Sequence, residues 1–478
     1  MPYAPHTDDD RRHMLAALGL ENVDELFAGI PPAVRTGGVD LPPGLSEVEL
    51  AAELTALAGR NRVDLASFLG AGVYRHYVPA AVDQLISRGE FYTAYTPYQP
   101  EISQGTLQTI YEYQSLMAAL TGLDVVSASH YDGATATAEA ALMTVRATQR
   151  GRLLVSRAVH PHYRETLRTY LHPSGFAVEE LPIVAEGAAS GTTDLTALEA
   201  ALPPRGDGSA PSDVAGVILA QPNFYGALEP MAEAARLAHA AGALFVAIVE
   251  PVSLAVLEPP GEYGADIAAG EGQPLGVAPQ FGGPYLGILA ATESLTRQVP
   301  GRLIGATRDL DGRRAYVMTL RAREQDIRRE RAASNICTNQ ALVALVATVY
   351  LSLLGPHGLR DVAALGAARA HELEAALAAA GAPRLHAAPY LNEFTVRVPE
   401  APAVHARLLD AGVLAGVPLA TLEPGADDVA DALLVCATEL TTGDEIRRFG
   451  DALRGELGHA RVPGPRSETV AVPVGERG

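Results

Sequence analysis

The sequence predicts an α/β protein built around a mainly parallel sheet, and three observations carry that prediction. From about Val125 to Met318, short apolar runs alternate with amphipathic stretches, the pattern of βαβ units. The residues before this region carry helix caps and Pro-Pro breaks but no strand-like runs. The residues after it read as long helices followed by a second, shorter set of strands. The expected layout is an N-terminal helical arm over 1–65, a large α/β domain over 66–335, a linking helix with a small C-terminal α/β domain over 336–460, and a disordered tail over 461–478.

Taken in chain order, Thr7 followed by Asp8-Asp9-Asp10 predicts a capped helix whose acidic first turn suits the helix dipole. Ser46 and Glu49 have capping-box spacing ahead of Leu50, Leu54 and Leu57, and Pro31-Pro32 and Pro42-Pro43 separate the short helices. An arm without strands cannot close its own core, so it is expected to wrap another surface. Ser103 is placed as the N-cap of a helix reaching Gly122. Expected strands are 125–128, 153–155, 177–183, 217–219, 244–249 and 285–290, with an amphipathic helix over 231–241. Long helices over 338–354 and 359–380 lead to strands at 393–398 and 432–436.

Composition narrows the function classes. The chain has 478 residues, 48% of them hydrophobic and 19% charged, as expected of a soluble globular protein. A net charge of −20 argues against nucleic acid or an anionic membrane as partner. Cys337 and Cys436 provide neither a disulfide framework nor metal-ligand spacing, so a reducing cytoplasm is expected. The opening MPYAPHTDDDRRHM lacks the apolar stretch of a signal peptide, and the apolar run near 341–354 reads as too short to span a bilayer. All 36 residues counted as Lys or Arg are arginine. A chain without lysine cannot hold a carbonyl cofactor such as pyridoxal phosphate as a Schiff base. Any such site that it serves must draw its lysine from another polypeptide.

Four stretches stand out. Tyr92–Gln104, YTAYTPYQPEISQ, packs tyrosine, proline, glutamine and glutamate into a rigid strip before a helix; it suits a pocket wall or an interface, but composition alone favours a loop packed by its own tyrosines. His130–Thr135 turns a strand into a helix where anions often bind, but Asp132 would oppose an anion or cap the helix itself. Arg321–Arg331 reads as a helical stretch of mixed charge, either a solvated face or an anion or docking site, and Asn335, Asn339 and Gln340 suggest a satisfied buried network. Asp266–Gly287 is glycine-rich, so its backbone can approach a ligand or partner closely, or it is a loop ordered only by packing. The histidines are scattered, His160 and His162 included, and no metal site is expected; Walker A, GxSxG and HExxH motifs are absent from the sequence.

Together FLGAGVYRHYVP (68–79), YTPYQPEISQG (95–105), YDGATATAEA (131–140), PPGEYGADIAAGEGQPLG (259–276), FGGPYLG (281–287) and DIRRERAASNICTNQAL (326–342) resemble the first subunit of two-subunit glycine dehydrogenases (decarboxylating), the P proteins of the glycine cleavage system. The resemblance covers about residues 1–458. It implies an aspartate-aminotransferase-like fold, that of fold type I pyridoxal-phosphate enzymes. It also implies that a second subunit carries the cofactor and its lysine, that the pair decarboxylates glycine, and that the aminomethyl group passes to the lipoyl arm of the H protein. A heterotetramer is the family expectation. In this chain Gln273-Pro274 falls about where the lysine would stand, and Glu250 replaces the aspartate that pairs with the pyridine nitrogen, or that aspartate is lost. The implied pocket or interface residues are Tyr95, Tyr98, Gln99, Glu101 and Gln104, with Tyr74 and His76 as weaker candidates; no catalytic residue is expected in this chain. A scaffold or regulatory pseudoenzyme that only assembles partners is the alternative.

Overall fold

A computed structural model of the chain describes residues 5–36, 38–202, 212–280, 282–337 and 339–459. The expected disordered tail over 461–478, and Thr338 at the start of the expected linking helix, lie outside them. The chain divides into two compact units, Met1–Val63 and Asp64–Gly478.

The first unit is helical. Asp8–Leu18 starts at the predicted capping box, in which Thr7 Oγ1 accepts from Asp10 N and Asp10 Oδ2 accepts from Thr7 N. Glu47–Ala58 starts at the Ser46–Glu49 box. Among the described residues of this unit there is no strand and no buried side chain. Leu18, Val34, Leu41, Leu54 and Leu57 stand exposed.

In the second unit, β1 (Ala66–Ser67) precedes the strands of the main sheet: β2 (Val125–Val126), β3 (Arg152–Ser156), β4 (Ala177–Leu181), β5 (Val214–Gln221), β6 (Leu244–Val249), β7 (Ile267–Glu271) and β8 (Gly287–Ala291). Their order is β2-β8-β7-β6-β5-β3-β4, parallel from β4 to β7, with β8 and β2 antiparallel at one edge. The central strands are apolar along their length because helices cover both faces of a parallel sheet. The Ala-rich helix Gly133–Thr148 lies on one face with Ala136, Ala140 and Met143 fully buried. The other face holds Met231–Ala240 and Gln104–Thr121. A hairpin, β9 (Leu303–Arg308) and β10 (Arg314–Thr319), follows the sheet.

The helix Ala341–Ala379 is broken at Gly355 (φ 62°), just before Pro356, so the two expected helices form its two halves. Contrary to the expectation drawn from the 341–354 run, this helix is long and apolar enough to cross a membrane by length and composition, but half of its most apolar window is buried in the protein. Its first half packs Val343, Ala347 and Tyr350 against Tyr113 and Met117; its second half packs Leu373 and Leu377 against Phe449 and Leu453. It thereby joins the large sheet to a small one of β11 (Glu393–Arg397), β13 (Val417–Pro418) and β14 (Ala432–Cys436), while β12 (Val413–Leu414) pairs with β1.

Two expectations are corrected. Arg321–Arg331 is not one helix: it is three short turns, Arg321–Arg323, Gln325–Arg328 and Arg329–Arg331, with Leu320 and Arg329 at positive φ breaking the helical path. The polar residues after it form only part of a network. Asn339 Nδ2 donates to Ser129 O and Gln340 N to Ser129 Oγ, whereas Asn335 is exposed and Asn339 Oδ1 is unpartnered.

Candidate functional site

A parallel sheet places ligands at the carboxyl ends of its strands. At those ends lies a cavity of about 80 Å³, lined by His160 and Tyr163 beyond β3, Asn223 and Phe224 beyond β5, Glu250 beyond β6, and Glu271 and Pro274 at and beyond β7, with Tyr74 and Glu393 arriving from the β1 side and the small sheet. Three of these residues are glutamates and none is arginine or lysine.

Each carboxylate is held by the chain's own donors. Glu271 Oε2 accepts from Gly133 N at 2.9 Å, and its Oε1 accepts from Gln273 N and Leu286 N, both at 2.9 Å. Glu250 accepts from Val252 N (3.0 Å) and Ser253 N (2.6 Å) in the turn that follows β6. Glu393 accepts from Ala71 N at 2.6 Å and the Tyr74 hydroxyl at 2.8 Å. Burial pushes Glu271 and Glu393 up to about 7 and raises Glu250, because a buried carboxylate loses the solvation of its charged form. Burial also lowers His160 to about 4. Its Nδ1 accepts from His162 N, which leaves the proton on Nε2 to donate to Ala71 O at 3.1 Å.

The helix that begins at Gly133 has its N-terminus filled. Asp132 is the N-cap, with Oδ1 accepting from Thr135 N at 2.8 Å, and Glu271 takes the N–H of Gly133. Of the two readings of this turn, capping by Asp132 is therefore the one realised. Only glycine fits at 133, where a Cβ would collide with the Tyr163 hydroxyl and lie 2.8 Å from Glu271 N. The glycine-rich stretch is a buried strand, β7, and a turn. Gln273 is tied to residue 74 in both directions, Tyr74 N donating to its Oε1 at 3.2 Å and its Nε2 donating to Tyr74 O at 3.0 Å. Pro274 lines the cavity beside it.

The sequence-derived residues separate into three groups. Tyr74 reaches this cavity. His76 sits beside it, with Nδ1 2.8 Å from Glu439 Oε2, and does not line it. The tyrosine strip lies elsewhere and splits by orientation. Tyr98 is buried under the Arg302 guanidinium, 4.1 Å from its ring centroid, and Gln104 bonds Tyr316 through N–H and C=O at 2.8 and 2.9 Å. Tyr95, 83% exposed, and Gln99 line an open groove with Phe91 and Ile102; Glu101 is exposed and outside that lining. The sequence reading missed Glu271, Glu393 and Tyr163. The one signal for Glu271 was an acid between two glycines in GEGQP.

The order of the sheet, the cavity at its carboxyl edge and the small C-terminal sheet define the fold type I class of pyridoxal-phosphate enzymes. In fold alone, a sphingosine-1-phosphate lyase of Burkholderia pseudomallei is similar, with a TM-score of 0.62 over 90% of this chain and 95% of that one at 17% identity. Residues 1–453 match the glycine cleavage system P-protein family, and the chain belongs to it. A probable glycine dehydrogenase (decarboxylating) subunit 1 of Moorella thermoacetica is 51% identical over 460 residues, 96% of this chain and 100% of that protein. The crystal structure of a glycine decarboxylase (P-protein) of the glycine cleavage system, in inhibitor-bound form, is 44% identical with a TM-score of 0.86, covering 95% of this chain and 100% of that one.

The residues of this chain's own cavity do not fit pyridoxal phosphate. There is no lysine for a Schiff base, no cation lines the walls, three carboxylates face inward, and the helix N-terminus is already occupied. The volume of about 80 Å³ falls well short of the roughly 300–1,000 Å³ of pockets that enclose small ligands.

Proposed function

We propose that this chain is the lysine-less subunit of a two-subunit glycine decarboxylase, the P protein of the glycine cleavage system, working in the cytoplasm. The single observation that carries the reading is a member of the P-protein family, matched over residues 1–453, with no lysine at all in the sequence. Its partner is a second subunit that holds pyridoxal phosphate, in a heterotetramer of two of each. That cofactor supplies the electron sink for the pair left when glycine loses CO₂. The lipoylated H protein receives the remaining aminomethyl group.

This chain contributes walls and positions. Tyr95 and Gln99 present an aromatic ring and an amide on the open face of the strip, where they orient substrate and exclude water at the interface with the second subunit. Tyr98 and Gln104 hold the strip in place from beneath, through Arg302 and the Tyr316 backbone. Glu101 offers a carboxylate to the partner from the exposed side. Tyr74 and His76 are positioning residues, locking the segment after β1 to Glu393 and Glu439. Substitution of Tyr95 or Gln99 by alanine in the assembled complex is expected to lower glycine-dependent CO₂ exchange at least tenfold with assembly intact. Unchanged exchange in both variants would remove the strip from the site.

A further inference from the structure

Three backbone N–H groups, those of Gly133, Gln273 and Leu286, converge on one carboxylate at the start of a 16-residue helix. Convergent N–H groups at a helix N-terminus form an anion site, and this is where the phosphate of a ligand would be gripped at the carboxyl edge of a parallel sheet. Here the acceptor is built in. We infer that Glu271 is an internal plug, a side-chain carboxylate standing where a phosphate would bind, so that this chain's own cofactor-type cavity is closed to phosphate ligands.

Three further features make the closure specific. Asp132 places a second carboxylate on the same helix end through Thr135 N, so an incoming phosphate meets like charge as well as occupied donors. Tyr163, partly buried, holds its hydroxyl against Gly133, where a Cβ would collide with it, and crowds the helix end. Gln273, which precedes Pro274, is spent on the Tyr74 backbone and fastens the segment after β1 over the cavity. The inference goes beyond the function proposed above and stands whichever reaction the complex performs, because it concerns donors and acceptors of this chain alone.

The test uses the full chain and inorganic phosphate as probe, followed by phosphorus NMR titration and by the thermal midpoint as a function of phosphate concentration. Wild type is expected to show no saturable binding. The double variant Glu271→Ala with Asp132→Asn removes both charges while asparagine keeps the helix cap. It is expected to bind phosphate at least tenfold more tightly than wild type. Glu271→Gln fills the same space and is expected to gain nothing. Saturable phosphate binding by wild type, or a folded double variant with no gain, overturns the inference. If the double variant does not fold, the cofactor count in the wild-type complex with the second subunit decides: one pyridoxal phosphate per pair of chains supports the plug, and two overturn it. Failure of the proposed function would look different, as a complex that neither assembles nor exchanges CO₂ while the isolated chain still refuses phosphate.

Discussion

Glu393 shows how one residue links burial to pH. It is raised from the ordinary 4.5 to about 7, chiefly by burial, with the neighbouring Glu250 acting in the same direction. Between those values the folded chain keeps a proton that the unfolded chain has released. Its stability contribution is therefore present below about 4.5 and is lost as pH rises through about 7, a change on the order of 3 kcal/mol. Glu393→Gln keeps an acceptor for Ala71 N and cannot ionise, so it is expected to gain stability over wild type at pH 8 and to match it at pH 5; thermal midpoints across that range check this. An equal difference at both pH values would show that ionisation of Glu393 is not the cause. The tyrosine strip makes a second residue-scale prediction. Tyr98 is packed against Leu107, Ile110 and Tyr316, so Tyr98→Ala is expected to cost about 3 kcal/mol in chemical denaturation. The exposed Tyr95→Ala should stay within about 0.5 kcal/mol of wild type while losing activity in the complex. A single sequence shows that such a strip exists but not which side chains turn inward, since that depends on Arg302 and Tyr316, both some 200 residues away in the chain.

Elements were legible where one period dominates. The apolar runs of β5 and β6 and the caps at Thr7 and Ser46 follow from local patterning, and β14 (Ala432–Cys436) has the expected bounds. β7 was not legible because IAAGE looks like part of a glycine-rich loop; only pairing with β6 and β8 makes it a strand. The arginine-rich turns misled in the opposite direction, since their charges repeat at helical spacing while Arg329 takes a positive φ. At this scale two substitutions test the geometry. Gly133→Ala forces a methyl group into the Tyr163 hydroxyl and is expected to cost about 2 kcal/mol or more. Gly355→Ala has open space around its Cβ but sits at φ 62°, ψ −174°, a region essentially reserved for glycine, so its cost of about 2 kcal/mol is expected to be all backbone strain. A cost below about 0.5 kcal/mol for Gly133→Ala in equilibrium unfolding would mean that the crowding at Gly133 is relieved by a shift of the helix.

As a whole molecule, this chain keeps the frame of a pyridoxal-phosphate enzyme without a lysine to form a Schiff base. The sheet, its carboxyl-edge cavity and the small sheet remain, but three carboxylates line that cavity and lysine is missing altogether. The missing lysine was readable from composition alone. The carboxylate lining was not, because Glu271 and Glu393 lie 122 positions apart in sequence and meet only through the fold. A frame of this kind is useful when its outer surface completes another chain's site, which is the role assigned to it here. The direct test is glycine-dependent CO₂ exchange with lipoylated H protein and pyridoxal phosphate, measured for this chain alone and mixed with the matching second subunit. Exchange confined to the mixture is the expected result. Exchange by this chain alone would contradict it, since decarboxylation would then proceed without a lysine to hold the cofactor.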